Sequence, residues 1–167
     1  MLIVMGDLPG TGKTTLARLL AARIGAVHPR VDTIEQAIVS SGMARHPVGP
    51  MGYAVGYALA EEHLRQGLTV IAESVNPLRV TRDAWRDTAV GTSARVIEVE
   101  VVCSDPAEHR RRVTSRSTDI PGLPLPDWQQ VVDREYEPWD RARVVVDTAG
   151  QSPHQSLSLL LRGLASG

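Results

Sequence analysis

The chain has 167 residues, the size of one domain, and its 43% apolar and 22% charged residues exclude a disordered or fibrous polymer. Eighteen basic residues against nineteen acidic ones leave a net charge of −1, which excludes attachment to nucleic acid or membrane by bulk charge. A single cysteine, Cys103, and five scattered histidines allow neither an internal disulfide nor a cluster at zinc-ligand spacing, so a reducing, cytoplasmic setting is expected.

The apolar start, Met1 to Met5, is too short for a signal-peptide core or a bilayer span. It reads instead as a buried strand from Leu2 to Met5 that runs into a glycine loop. From Thr14 the residues Leu16, Leu19, Leu20 and Ile24 recur at helical spacing, and Gly25 suits the stop. Between strand and helix lies Gly10, Thr11, Gly12, Lys13, Thr14, Thr15, where successive backbone N–H groups and a helix N-terminus hold phosphate. Lys13 is the one lysine among the eighteen basic residues, a compact ammonium kept at the place where a point charge fits between phosphate oxygens. In this pattern Lys13 reaches the β and γ phosphates and the Thr14 hydroxyl ligates Mg²⁺. The full pattern asks for glycine five places before Gly12, and Asp7 stands there.

Ala26 to Val31 reads as a second short strand with its ladder limited by Pro29, and Thr33 to Val39 as a helix for which Asp32 is an N-cap and Glu35 the third helical residue. The Gly- and Pro-rich stretch from Ser41 to Pro50 is a loop carrying Arg45 and His46. A helix from about Met51 to Gln66 has Tyr53, Tyr57, Ala60 and Leu64 on one stripe. Leu68 to Ala72 suits a central strand, followed by a helix bearing Ala84, Trp85 and Ala89. Arg95 to Cys103 is the clearest strand. Asp105, Pro106 and Glu108 open a helix that runs to about Arg116, and Ser117 to Pro126 is a proline-rich loop. Asp127 with Gln130 caps another helix that ends before Pro138; Arg143 to Asp147 is the last strand and His154 to Leu164 the last helix. Alternating strands and helices predict an α/β fold, a parallel sheet covered on both faces with ligands at the strands' carboxyl ends.

On these residues the chain resembles the small P-loop kinases, the group of shikimate, gluconate and adenylylsulfate kinases, chloramphenicol phosphotransferase and the polynucleotide-kinase-like AAA ATPases. The resemblance implies one domain over residues 1–167 with a three-layer fold and a five-stranded parallel sheet in the order 2-3-1-4-5. Within it, residues 7–14 are a Walker A loop, 32–66 an acceptor region and about 110–126 a lid. ATP and Mg²⁺ are the implied cofactors, Asp32 the base toward an acceptor hydroxyl, and Glu73 a metal or acceptor ligand. The run Glu73, Ser74, Asn76, Arg82 and Trp85 is similar to the region after the third strand in polynucleotide-kinase-like proteins, where Asn76 and Arg82 hold acceptor oxygens. Arg45 is a further candidate acceptor contact. Those proteins place an arginine shortly after the aspartate, whereas Glu35 stands here. Arg112 and Arg116 correspond to lid arginines that cover the adenine and stabilise charge on the transferring phosphoryl group. Asp147 to Gly150 copies a short GTPase motif but lacks its guanine-reading partner, and reads as a turn beside adenine.

The expected activity is transfer of the ATP γ-phosphate to a hydroxyl of a sugar-, nucleoside- or antibiotic-like molecule by a monomer or homodimer without nucleic-acid or membrane partners. Two alternatives stay open: a polynucleotide 5′-hydroxyl kinase and an ATP-binding regulatory module. Near-zero net charge and few aromatics argue against a strand-binding groove.

Overall fold

The computed structural model describes residues 1–166. In chain order the elements are β1 (Leu2–Gly6), α1 (Lys13–Ile24), α2 (Val31–Ser40), α3 (Met51–Arg65), β2 (Val70–Glu73), α4 (Arg79–Gly91), β3 (Val96–Val102), α5 (Pro106–Ser115), α6 (Trp128–Val132), β4 (Val144–Asp147) and α7 (Pro153–Ser166). The strands form a parallel sheet in the order β2-β1-β3-β4, with Val4 level with Ala72 on one side and Glu98 on the other. A continuous apolar run makes β1 a central strand, since all five of its residues are buried.

Helices cover both faces. Ile3 and Met5 of β1 point to one side, where Leu16 and Leu20 of α1 and Leu160 of α7 close the core. Leu2 and Val4 point to the other, onto Val31, Ala60, Leu64, Trp85 and Ala89 of α2, α3 and α4. The stripe expected on α3 is the one that packs, with Tyr57 edge-on to Trp85 at 4.5 Å.

The sheet has four strands among the described residues, not five. The segment expected as the second strand lies beside β2 but makes only two isolated bridges, Val27 to Val70 and Arg30 to Glu73. Val27 both donates to Thr69 and accepts from Ile71, whereas Pro29 accepts from Glu73 and has no N–H to give back, so the ladder stops there. Removing that strand from the order 2-3-1-4-5 leaves the order observed.

A second correction concerns α2. It begins at Val31 with Arg30 in the N-cap position and no side-chain cap, so Asp32 sits inside the first turn and the expected Asp32–Glu35 capping pair does not form. Burial of Val31 in the α3–α4 core draws the helix start forward. The other two caps are as expected: Asp105 accepts from Ala107 and Glu108, and Asp127 and Gln130 form a reciprocal box.

Candidate active site

A cavity of about 720 Å³ opens at the carboxyl end of the sheet, at the loop from β1 to α1 and the ends of β2 and β4. The loop's backbone is set by Gly10 at φ 89° and Gly12 at φ 99°, values that side-chain-bearing residues rarely adopt. Gly10 also has no room for a side chain, because an added Cβ would stand 2.5 Å from Val113 Cγ2 of α5. Gly12 is the N-cap of α1 and supplies no side-chain bond, which leaves the first N–H groups of the helix free for an anion. His109 Nε2 shares a 2.8 Å hydrogen bond with the Pro9 carbonyl, and Thr148 Oγ1 donates to the Thr11 carbonyl at 2.7 Å. The loop is thereby braced from α5 and from the turn after β4.

Gly10, Gly12, Lys13, Thr14 and Thr15 all line the cavity, whereas Thr11 is buried behind it. Lys13 is 7% exposed, and its Nζ donates to the Leu8 carbonyl at 2.7 Å. Burial lowers its pKa, against the opposing pull of Glu73, Asp7 and Asp32. Asp7 occupies its glycine-like place at φ 141°, with Oδ1 accepting from the Leu8 N–H at 2.6 Å. Its buried carboxyl is pushed up to about 6.

Glu73, at the end of β2, accepts from the Thr14 hydroxyl with Oε1, and its Oε2 takes a 2.8 Å hydrogen bond from His28. Burial pushes this carboxyl up, but the bonds from His28 and Thr14 and the charge of Lys13 outweigh it and hold it below the ordinary carboxylate range. Hydroxyl and carboxylate oxygens are the donors Mg²⁺ takes. Among the described residues no group of three or more His, Cys, Asp or Glu could hold a metal, so an ion here would complete its shell with nucleotide and water oxygens.

Asp32 and Glu35 line the same cavity from successive turns of α2. Burial first, and then the charge of Asp32, raise Glu35 to about 7. From α5 and its C-cap come Arg112 and Arg116. Arg112 is already held, donating to Thr148 Oγ1 at 2.7 Å, to the Thr148 carbonyl at 2.9 Å and to Glu108 at 2.6 Å. Arg116 differs: its Nε is buried without a hydrogen-bond partner, and burial lowers its pKa while Asp32 opposes.

Three sequence candidates lie elsewhere. Asn76 is fully buried, donating to the Met5 carbonyl at 3.3 Å and accepting from Trp85 Nε1 at 3.0 Å. Arg82, 1% exposed, donates to the Glu137 carbonyl and stacks 4.7 Å from the Trp139 ring. Neither they nor Arg45 line the cavity, although His46 does. Conversely, His28, Arg30, Arg18 and Asp119 escaped the sequence reading. Asp119 of the proline-rich loop pairs with Arg18 of α1 and with Arg30 at 2.9 Å, and Arg30 Nε lies 3.6 Å from Glu73. The available signal for His28 and Arg30 was their place before Asp32, at a strand's carboxyl end; nothing marked Asp119.

The fold is shared with solved structures of low identity. An unliganded sugar kinase from Janibacter sp. HTCC2649 matches with a TM-score of 0.69 at 20% identity, over 98% of this chain and 93% of its own. The Mycobacterium tuberculosis APS kinase in complex with AMPPNP and APS matches with a TM-score of 0.67 at 14% identity, over 98% and 96%. Kti12 from Chaetomium thermophilum in complex with ADP-AlF3 gives 0.69 at 21%, over 98% of each. No curated protein matches the chain in sequence. The family model described as AAA domain matches residues 2–134, from β1 through the phosphate loop to the end of α6, and the chain therefore belongs to that family, as a P-loop protein with the fold of the small kinases.

Proposed function

We propose that the protein is an ATP-dependent phosphotransferase that moves the γ-phosphate to a hydroxyl of a small molecule. The observation that carries this reading is that one cavity holds the loop with Lys13 and Thr14, the carboxylate of Asp32 and Arg116, whose Nε is buried without a partner among the described residues. Kinases among the fold's relatives support it.

In this reading the loop N–H groups and the α1 N-terminus bind the phosphate tail, with Lys13 leaving the Leu8 carbonyl to meet it. Thr14 and Glu73 are the residues suited to hold Mg²⁺, which when bound supplies charge neutralisation on the phosphates. Asp32 takes the proton from the acceptor hydroxyl, whose oxygen forms a bond to the γ-phosphorus as the bond to the β–γ bridging oxygen breaks and ADP leaves. Arg116 stands ready for the charge of the phosphoryl group in flight, and the lid residues 117–126 keep water from competing for it. Arg112, tied to Thr148 and Glu108, belongs to the base-binding side.

The test is a pooled metabolite screen with isotopically labelled γ-phosphate, read by mass. Transfer to a hydroxyl compound is expected, and Asp32→Ala should reduce it by about 10²-fold or more while nucleotide affinity stays nearly intact. ATP hydrolysis that no acceptor raises, in wild type and variant alike, would instead identify a nucleotide-binding module.

A further inference from the structure

Asp32 and Glu35 stand three residues apart on α2, on neighbouring positions of one helix face, and both line the cavity. Neither carboxylate forms a hydrogen bond or an ion pair among the described residues. Glu35 is not there by slack packing: it lies against α3 at Gly52, where an added Cβ would come within 2.3 Å of its Cγ. Half-buried without a partner and next to the exposed carboxylate of Asp32, it carries a desolvation cost that a ligand would offset. Ser74, 5% exposed and directly after β2, lines the same space beside the Tyr53 hydroxyl, and its buried Oγ has no partner at hydrogen-bond geometry among the described residues.

The cations nearby are mostly committed. Arg30 and Arg18 are drawn to Asp119, Arg30 also to Glu73, and Arg116 is the group suited to the transferring phosphoryl charge. Arg134 is left, exposed at the rim, where it makes no ion pair with Glu35 but attracts it at longer range. An anionic acceptor would therefore meet the Glu35 carboxylate, which has no ion-pair partner, beside that of Asp32, which is drawn toward Lys13 and Arg116. An uncharged one would leave the pair repelling, and a cation relieves both.

We propose that the acceptor is an amine-bearing alcohol, an amino sugar or amino alcohol, whose ammonium is bound by Glu35 and one of whose further oxygens is bound by Ser74 while Asp32 takes the proton of the reacting hydroxyl. This rests on the phosphotransferase reading and narrows it to a substrate class. It also gives a physical meaning to the carboxylate that replaces the arginine of the polynucleotide-kinase pattern.

Matched acceptor triads test it on the wild-type chain: glucosamine, glucose and gluconate, together with amino alcohols, the corresponding diols and hydroxy acids, each with ATP and Mg²⁺. The expected result is a kcat/KM at least about tenfold higher for amine-bearing members than for their uncharged parents, the scale of one charged hydrogen bond. Glu35→Gln should raise KM for the amine by about 10- to 100-fold with kcat and ATP affinity little changed. Transfer that prefers uncharged or anionic members, or an amine preference that Glu35→Gln leaves intact, overturns the inference and leaves the phosphotransferase reading standing. ATP bound and no transfer to any member of a broad hydroxyl panel overturns both. Because the triads are measured on the unaltered protein, the outcome does not depend on how the variant folds.

Discussion

Asp7 shows what a single substitution in a phosphate loop does to the chain that carries it. Its φ of 141° is the reason the general pattern has glycine there, and the residue is 7% exposed. Raised from 3.8 to about 6 by burial, it holds its proton more tightly folded than unfolded. In that window the folded state carries more protons, so its contribution to stability falls as pH rises from about 4 to 6 and is level above, a total of about 3 kcal/mol. Asp7→Asn keeps the shape and removes the charge. Its stability advantage over wild type should therefore grow across pH 4 to 6 in urea melts and stay constant above; a pH-independent difference would show that Asp7 is not buried as described. The positions of Lys13, Thr14 and Glu73 at the cavity were legible in sequence because a motif or a strand end fixed them, whereas Asp32 reaches it from inside the first turn of α2 rather than from the expected cap. Asn76 and Arg82 lie away from the cavity, because a buried polar side chain is as well suited to satisfying backbone carbonyls as to holding a ligand, and only packing decides.

The contact of α5 with the loop is the arrangement of elements on which the cradle depends. Val113 meets Gly10, His109 bonds to Pro9 and stacks edge-on against Trp128 of α6, and Arg112 fastens the turn after β4. Gly10→Ala must displace either Val113 or the loop in addition to its positive φ. It should lower stability by about 2 kcal/mol and weaken nucleotide binding together, measured by thermal melting and by titration. A loss of stability with unchanged affinity would mean that the loop is held from elsewhere. Most helices and strands were legible because glycines, prolines and the caps at Asp105 and Asp127 punctuate them, α2 being the exception. The segment from Ala26 to Val31 was not: Pro29 permits the position of an edge strand but removes the donor that would make it one, and periodicity cannot distinguish a strand from a strand-like run with two bridges.

The molecule as a whole gathers its chemistry at one end of the sheet because parallel strands deliver all their carboxyl ends there. That much followed from alternating elements, before any residue was assigned. The closure of the cavity did not, because it depends on side chains far apart in sequence: Asp119 of the loop after α5 spans to Arg18 and Arg30, and Ile120 is buried beside them. Asp119 is half exposed, so Asp119→Ala should change stability by less than about 1 kcal/mol. By loosening the loop it should nonetheless raise ATP hydrolysis relative to acceptor phosphorylation, as read by parallel ADP and product assays. An unaltered ratio would mean that residues 117–126 do not exclude water.

The account depends first on a triphosphate seated between β1 and α1. Isothermal titration with a non-hydrolysable ATP analogue and Mg²⁺ measures that most directly. One molecule bound per chain, with binding abolished or weakened at least about a hundredfold by Lys13→Ala, is the predicted result. No heat at saturating nucleotide, or equal affinity in the Lys13→Ala variant, would contradict it.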